Sequence, residues 1–449
     1  MFDCAIIGAG LAGLSAAQDL VRRGISVVVI EARDRIGGRV ENGFLSDGEL
    51  VELGGQWIGP GHDLMYELAE RYGLGLIGLP STGEFTIRLQ GKTLHVPSKE
   101  DAPMLTPFEV ADLGQGVMRF RRLADRLAKD EAWAVGNAAW LQQDLRSWIS
   151  TNLRTAGGAA RFSEIFEAAF GPVPEDATLE MGLHQATTGV DLEGLAAANG
   201  GLNQHRIEGG IFALCERMAA ELGDRIRLGA PVTGIAHTAD RATITLESGT
   251  TIEARRVINT MPPRLGVQLD YDPPLPPWRG EVAGKIPPGN VIKAFLTYDE
   301  PWWREQGLSG QMGSDEGAVR VTLETSGEGR KRGTLLGFFE GADADSLSRR
   351  SVTLRQRAFT DSLVRAFGQI AANPAEYIER DWSAEPYTGG CHGAHFAPGV
   401  WTATGPQLGQ PEGVLHWAGA EYATRFNGYM EGAVRSGREA AAAVSRDLV

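Results

Sequence analysis

CAIIGAGLAGLSAAQDLVRRGISVVVIEARDRIGGR, residues 4–39, decides the fold. Residues 4–7 are an apolar run of the kind a strand buried on both faces requires, 14–21 carry apolar residues at helical spacing, and 26–30 are β-branched and apolar. Between the first strand and the helix, Gly8, Gly10 and Gly13 fill a G-x-G-x-x-G spacing. Gly8 makes the tight turn, Gly10 lets a pyrophosphate approach the backbone, and Gly13 lets the helix pack close to the sheet. The phosphates are then left at the helix N-terminus. Glu31 closes the second strand, where a carboxylate accepts hydrogen bonds from a ribose 2′-OH and disfavours an added phosphate. Glycine turns of this kind also serve packing alone, so the fingerprint gains weight only from its strand–turn–helix–strand context. The stretch predicts an adenine dinucleotide and leaves open which one.

Working outward, 449 residues suggest two or three domains, discontinuous ones included. With 43 basic and 57 acidic residues the formal charge is −14, which argues against nucleic acid and an anionic membrane surface as partners. Cys4, Cys215 and Cys391 are widely spaced and odd in number, so a disulfide framework is not expected and a reducing compartment suits the chain. No apolar run reaches the roughly 18 to 20 residues of a membrane span. The expectation is a soluble, cytoplasmic protein.

Residues 51–72 combine a flexible turn at Gly54, Gly55, Gly59 and Gly61 with an amphipathic helix from about Asp63. FTIRL, Gln90-Gly91 and KTLHV read as a hairpin. The stretch from Phe108 to about Thr151 is helical by periodicity, with Trp133, Trp140 and Trp148 expected in the core. A second helical stretch runs from Arg161 to Phe170. A short strand, the Gly209-Gly210 turn and a helix follow over 203–222. An antiparallel meander then ends in ARRVINT, apolar enough to return to the central sheet. VIKAFLTY, residues 291–298, is a strand with Lys293 inside it, and burial of that ion is costly. A helix over 355–367, a strand over 377–382, a glycine-rich stretch from Tyr387, a strand in VLHWAG and a long helix from about Met430 complete the chain.

Two glycine-rich regions, one at each end, suggest that both ends meet on one cofactor. Taken with GAGLAG (8–13), EARDRIGGR (31–39), ELGGQWIG (52–59), the Lys293 strand, WSAEPYTGGC (382–391) and WAGAEYATRFNGYMEGAV (417–434), the chain resembles the flavin-containing amine oxidase family, monoamine oxidase-like. The resemblance implies FAD and an α/β fold, α+β overall. A Rossmann-type FAD-binding domain would span residues 1–80, 205–285 and 385–449, and an inserted mixed α/β substrate-binding domain 81–204 and 286–384. It implies that Gly8, Gly10 and Gly13 hold the pyrophosphate and Glu31 the ribose, with a backbone contact from Val232 to adenine. Arg33, Gly38, Arg39, Gly55, Gln56, Trp57, Trp382, Glu421 and Met430 would line the rest of the cofactor path.

Lys293, by the same resemblance, reaches flavin N5 through a water. The residue-level alternative is a lysine facing solvent on an edge strand. Cys391 falls where membrane-bound monoamine oxidases tether the flavin by a thioether, yet relatives with a similar segment bind FAD without a bond, so the tether stays open. Tyr429 matches one wall of the family's aromatic cage, and His392 stands where the other wall would be tyrosine. The cage is therefore incomplete, leaving room for a heterocyclic or hydroxylated amine that hydrogen-bonds to His392 or Asn427. A metal site is not expected, because His392, His395 and His416 lack companions at ligand spacing.

The implied reaction passes a hydride equivalent from the amine α-carbon to the flavin. The imine hydrolyses to a carbonyl product, and O2 or another acceptor reoxidises the flavin. Alternatives are an L-amino-acid or nicotine-type oxidase or dehydrogenase, a desaturase of the same fold, and a non-catalytic FAD-binding protein. Small-molecule amine, electron acceptor and a homodimer are the expected partners.

Overall fold

The computed structural model describes residues 1–78, 82–89, 91–96, 105–170, 178–187, 204–314, 316–326, 329–394, 400, 404 and 407–448. The opening unit forms as its pattern demands: β1 (Phe2–Ile7), α1 (Leu11–Arg22) and β2 (Val27–Ile30), with β1 and β2 parallel. Because successive residues of a strand face opposite sides, Cys4, Ile6, Val27 and Val29 pack beneath helices while Ala5, Ile7, Val28 and Ile30 join a separate apolar cluster on the other face. Both faces are buried, which is why the run reads as apolar without alternation.

β1 and β2 lie in an eight-stranded sheet. The strand Thr251–Asn259 lies beside β1 in parallel and is antiparallel to Ala242–Leu246. Its end also pairs with Leu415–Trp417, which brings the C-terminal segment to the glycine turn. ARRVINT thus returns to the central sheet as expected. The helices Asp63–Arg71, Gly210–Leu222 and Met430–Asp447 share one cluster with α1. A Cβ on Gly437 would lie 2.3 Å from the Ala12 carbonyl oxygen, so this glycine lets the last helix rest on α1.

The second sheet has seven strands, in the order Glu376–Asp381, Val291–Tyr298, Gly333–Glu340, Val321–Glu324, Leu308–Ser314, Glu84–Leu89 and Lys92–Val96. The expected hairpin is its far edge. The Lys293 strand is internal, paired on both sides, so the edge-strand alternative does not hold. Ile292, Ala294 and Leu296 point into one core; Phe295 points to the other side, against Leu45, Val51 and Leu53. By alternation Lys293 faces that second side, toward the chain that follows a small hairpin of β3 (Asn42–Phe44) and β4 (Leu50–Glu52).

The helical stretch from Phe108 is Pro107–Lys129 followed by three short helices, Glu131–Gly136, Ala138–Leu141 and Leu145–Asn152. Thr106 and Glu109 form a reciprocal cap at its start, and Asp130 caps the next helix through the Trp133 amide. Trp148 is core, but Trp140 is 41% exposed, which corrects the core expectation for it. Trp140 packs edge-on against Trp133, whose ring lies under the Arg126 guanidinium. Among the described residues no helix is long and apolar enough to cross a membrane.

Candidate active site

The three fingerprint glycines are glycine for different reasons. Gly8 has φ +102°, and a Cβ there would lie 2.4 Å from Thr260 Oγ1; one on Gly13 would lie 1.9 Å from the Gly8 carbonyl oxygen. The protein itself demands both. Gly10 is different: a Cβ would meet nothing closer than Gly38 Cα at 3.8 Å. The space over Gly10 lies between two glycine turns, at the N-terminus of α1, where no side chain caps the helix. An uncapped helix N-terminus faced by glycine backbone, without a side chain over it, suits a phosphate.

Glu31 is buried at the end of β2. Its two oxygens accept from the Ala9 amide at 2.7 Å and the Arg33 amide at 3.0 Å, so it also holds the glycine turn in shape. The Ala230 amide donates to the Glu31 carbonyl and Gly229 to that of Arg33, two and three residues before Val232. Arg33 reaches Glu385 at 3.1 Å and Thr388 at 2.6 Å, joining the opening unit to the second glycine-rich stretch.

Arg39 and Glu421 lie 382 residues apart and form a two-pronged ion pair at 2.6 and 2.9 Å. Burial works against the Arg39 charge, but the Glu421 carboxylate and its hydrogen bonds outweigh it and hold the guanidinium above its usual value. Trp382 donates its indole N–H to the Leu53 carbonyl at 2.8 Å, and Met430 lies against Gly55, whose Cβ would fall 2.8 Å from Met430 Sδ.

Lys293 is 4% exposed. Its Nζ donates to the Gly54 carbonyl at 2.8 Å and Gln56 Oε1 at 2.7 Å, and lies 5.3 Å from the Trp57 ring centre. Burial drives its pKa down, opposed by the charges of Glu52 and Cys391 and aided by Arg206. Among the described residues, Gln56 Nε2 and Trp57 Nε1 are buried donors without a partner. Both flank the Lys293 ammonium and fit a group that accepts hydrogen bonds there. Cys391, in no disulfide, opens the strand Cys391–Ala394 and is charge-coupled to both Lys293 and Arg39.

Tyr429 is half-buried against the rings of His62, at 5.6 Å, and Phe426, at 6.3 Å, and burial raises its hydroxyl pKa. The His392 side chain and His395 lie outside the described residues. Asn427 is buried, and its amide donates to the Glu421 and Ala423 carbonyls at 2.9 and 3.0 Å, so its N–H groups fix the loop. Residue reading overlooked Glu52, Arg206, His62 and Glu385. Of these Glu52 and Glu385 carried a signal, their places in ELGGQWIG and WSAEPYTGGC.

Residues 11–445 match the family model for flavin containing amine oxidoreductase. The chain belongs to that family. It is an oxidoreductase acting on amines, and FAD is its cofactor. The uncapped α1 terminus, the glycine backbone around Gly10 and the donors of Gln56 and Trp57 fit that group. Among solved structures, a putrescine oxidase bound to putrescine superposes with a TM-score of 0.87 at 29% identity, covering 99% of each chain. The cyclohexylamine oxidase from Brevibacterium oxydans IH-35A superposes at 0.84 with 31% identity, covering 100% of this chain and 99% of that one. An L-amino acid dehydrogenase of Synechocystis is 33% identical, over 98% of this chain and 94% of its own.

Proposed function

We propose that this member of the family oxidises a small amine that carries no carboxylate, with O2 as electron acceptor. The observation that carries the reading is Lys293, an ionisable group buried in a two-sided strand and aimed at the Gly54–Gln56 segment. Gly8, Gly10, Gly13, Glu31, Arg33, Gly38 and Val232 would hold the adenosine diphosphate half of FAD. Arg39, Gly55, Gln56, Trp57, Trp382, Cys391, Glu421 and Met430 would hold the flavin half. Bound FAD supplies the two-electron acceptor for a hydride from the amine α-carbon.

The chain's own part is orientation and control of charge. An alkyl ammonium, with a pKa of about 10 like that of lysine, does not release a hydride from the adjacent carbon. The apolar wall of Tyr429 and Phe426 penalises the cation and favours the neutral amine. Arg33 and Arg39 are engaged by Glu385 and Glu421, so neither is left to receive a substrate carboxylate. The division into residues 1–80, 205–285 and 385–449 against 81–204 and 286–384 rests on the two sheets, and cytoplasmic residence on three cysteines in no disulfide. A homodimer rests on the frequency of twofold assemblies.

Anaerobic mixing of the holoenzyme with primary, secondary and cyclic amines and with L-amino acids tests the reading. Bleaching of the flavin band and peroxide release on aeration are expected with amines; bleaching by amino acids alone overturns it. Cys391 as a flavin tether is tested by acid precipitation: colour in the pellet supports the bond, and colour in the supernatant excludes it.

A further inference from the structure

Two neutral acceptors receive the Lys293 ammonium, the Gly54 carbonyl and the Gln56 amide oxygen. An ammonium has three hydrogens, and neutral acceptors alone do not offset the burial of a full charge. A buried carboxylate able to balance it lies two residues before Gly54, outside direct ion-pair contact with Nζ. Glu52 ends β4, is 2% exposed, and accepts the Ile211 amide at 2.9 Å, at the N-terminus of the helix Gly210–Leu222. The helix terminus and that amide favour its ionised form. The Gly209-Gly210 turn closes on it: both residues have positive φ, +79° and +78°, and a Cβ on Gly210 would lie 3.1 Å from Glu52 Cγ and 2.6 Å from Asn42 Oδ1.

Other charges face the same space. Arg206, 8% exposed on the strand His205–Ile207, opposes the Lys293 cation and favours the Glu52 anion, while Cys391 acts on Lys293 in the opposite sense. Burial raises the Glu52 pKa, countered first by Lys293 and then by the Ile211 amide and Arg206. Burial outweighs the partner's charge at both, moving Glu52 up and Lys293 down, and each charge limits the other's shift.

We propose that Glu52 is a positioning residue of this site: its carboxylate supplies the counter-charge that keeps the Lys293 ammonium seated on Gly54 and Gln56. It acts through Lys293 and does not touch substrate. The inference rests on the reading of Lys293 as the amine that works beside the flavin.

Glu52→Gln retains an oxygen for the Ile211 amide and removes the charge. In the holoenzyme, the Lys293-dependent limb of the pH profile for anaerobic flavin reduction should move to lower pH by about one unit or more, and Glu52→Asp should restore it. In the apoprotein, thermal unfolding of Glu52→Gln, Lys293→Met and the double variant should show the double losing less Tm than the two singles summed, because each single leaves one buried charge unpaired. An unmoved limb, or additive Tm losses, overturns the proposal. If Lys293→Met leaves the limb in place, the reading of Lys293 fails instead, and the apoprotein cycle alone decides Glu52. Should Glu52→Gln not accumulate as folded protein, the double variant is expected to; failure of both overturns the proposal.

Discussion

Lys293 shows what a single residue gains from its register. Alternation along Val291–Tyr298 would give an apolar side chain at this position, and the two neighbouring strands remove every backbone route to solvent. The amine is therefore held by Gly54, Gln56 and the charge of Glu52. Lys293→Met, similar in length and free of charge, should leave FAD bound while slowing flavin reduction or reoxidation by about tenfold or more. Stopped-flow measurement of each half-reaction checks this, and unchanged rates in both remove Lys293 from the mechanism.

At the scale of the element, the β1–turn–α1 unit separates two demands that a shared motif conceals. Gly13 is required by the protein, since a Cβ would collide with the Gly8 carbonyl; Gly10 is not. Gly13→Ala should destabilise the apoprotein by about 1–3 kcal/mol, the usual cost of overpacking. Gly10→Ala should cost the apoprotein below about 1 kcal/mol, the loss expected at a helix N-cap, yet weaken FAD binding at least about tenfold by filling the phosphate's space. Apoprotein Tm and FAD titration by fluorescence separate the two. Equal apoprotein losses in both variants would refute the assignment.

Over the whole molecule, buried histidines couple stability to pH. Burial holds His62 and His416 at about 4 and His184 at about 3, below their value in the unfolded chain. The unfolded chain therefore binds more protons, and their contribution is present above about pH 6.5 and is lost as pH falls through the folded values. Glu431, which burial raises, contributes in the opposite sense. His62→Gln removes one uptake step worth at most about 3 kcal/mol. Its Tm should fall less than the wild type's between pH 7 and pH 4.5 by differential scanning calorimetry, and an equal fall would exclude His62 as a contributor.

Local pattern alone determined the Rossmann unit, the hairpin, the meander with its return to the central sheet, and the strand around Lys293, because strand and helix periodicities are set by nearest neighbours. The resemblance carried by the two terminal glycine-rich regions brought the amine oxidoreductase family within reach. Tertiary structure decided what depends on distant partners. It paired Arg39 with Glu421 across 382 residues, turned Asn427 onto its own loop, and left Trp140 at the surface. It also made Glu52 the counter-charge to Lys293. A residue's partners across the chain leave no trace in its neighbours' spacing, since the charges meet only when two sheets and a helix terminus are brought together.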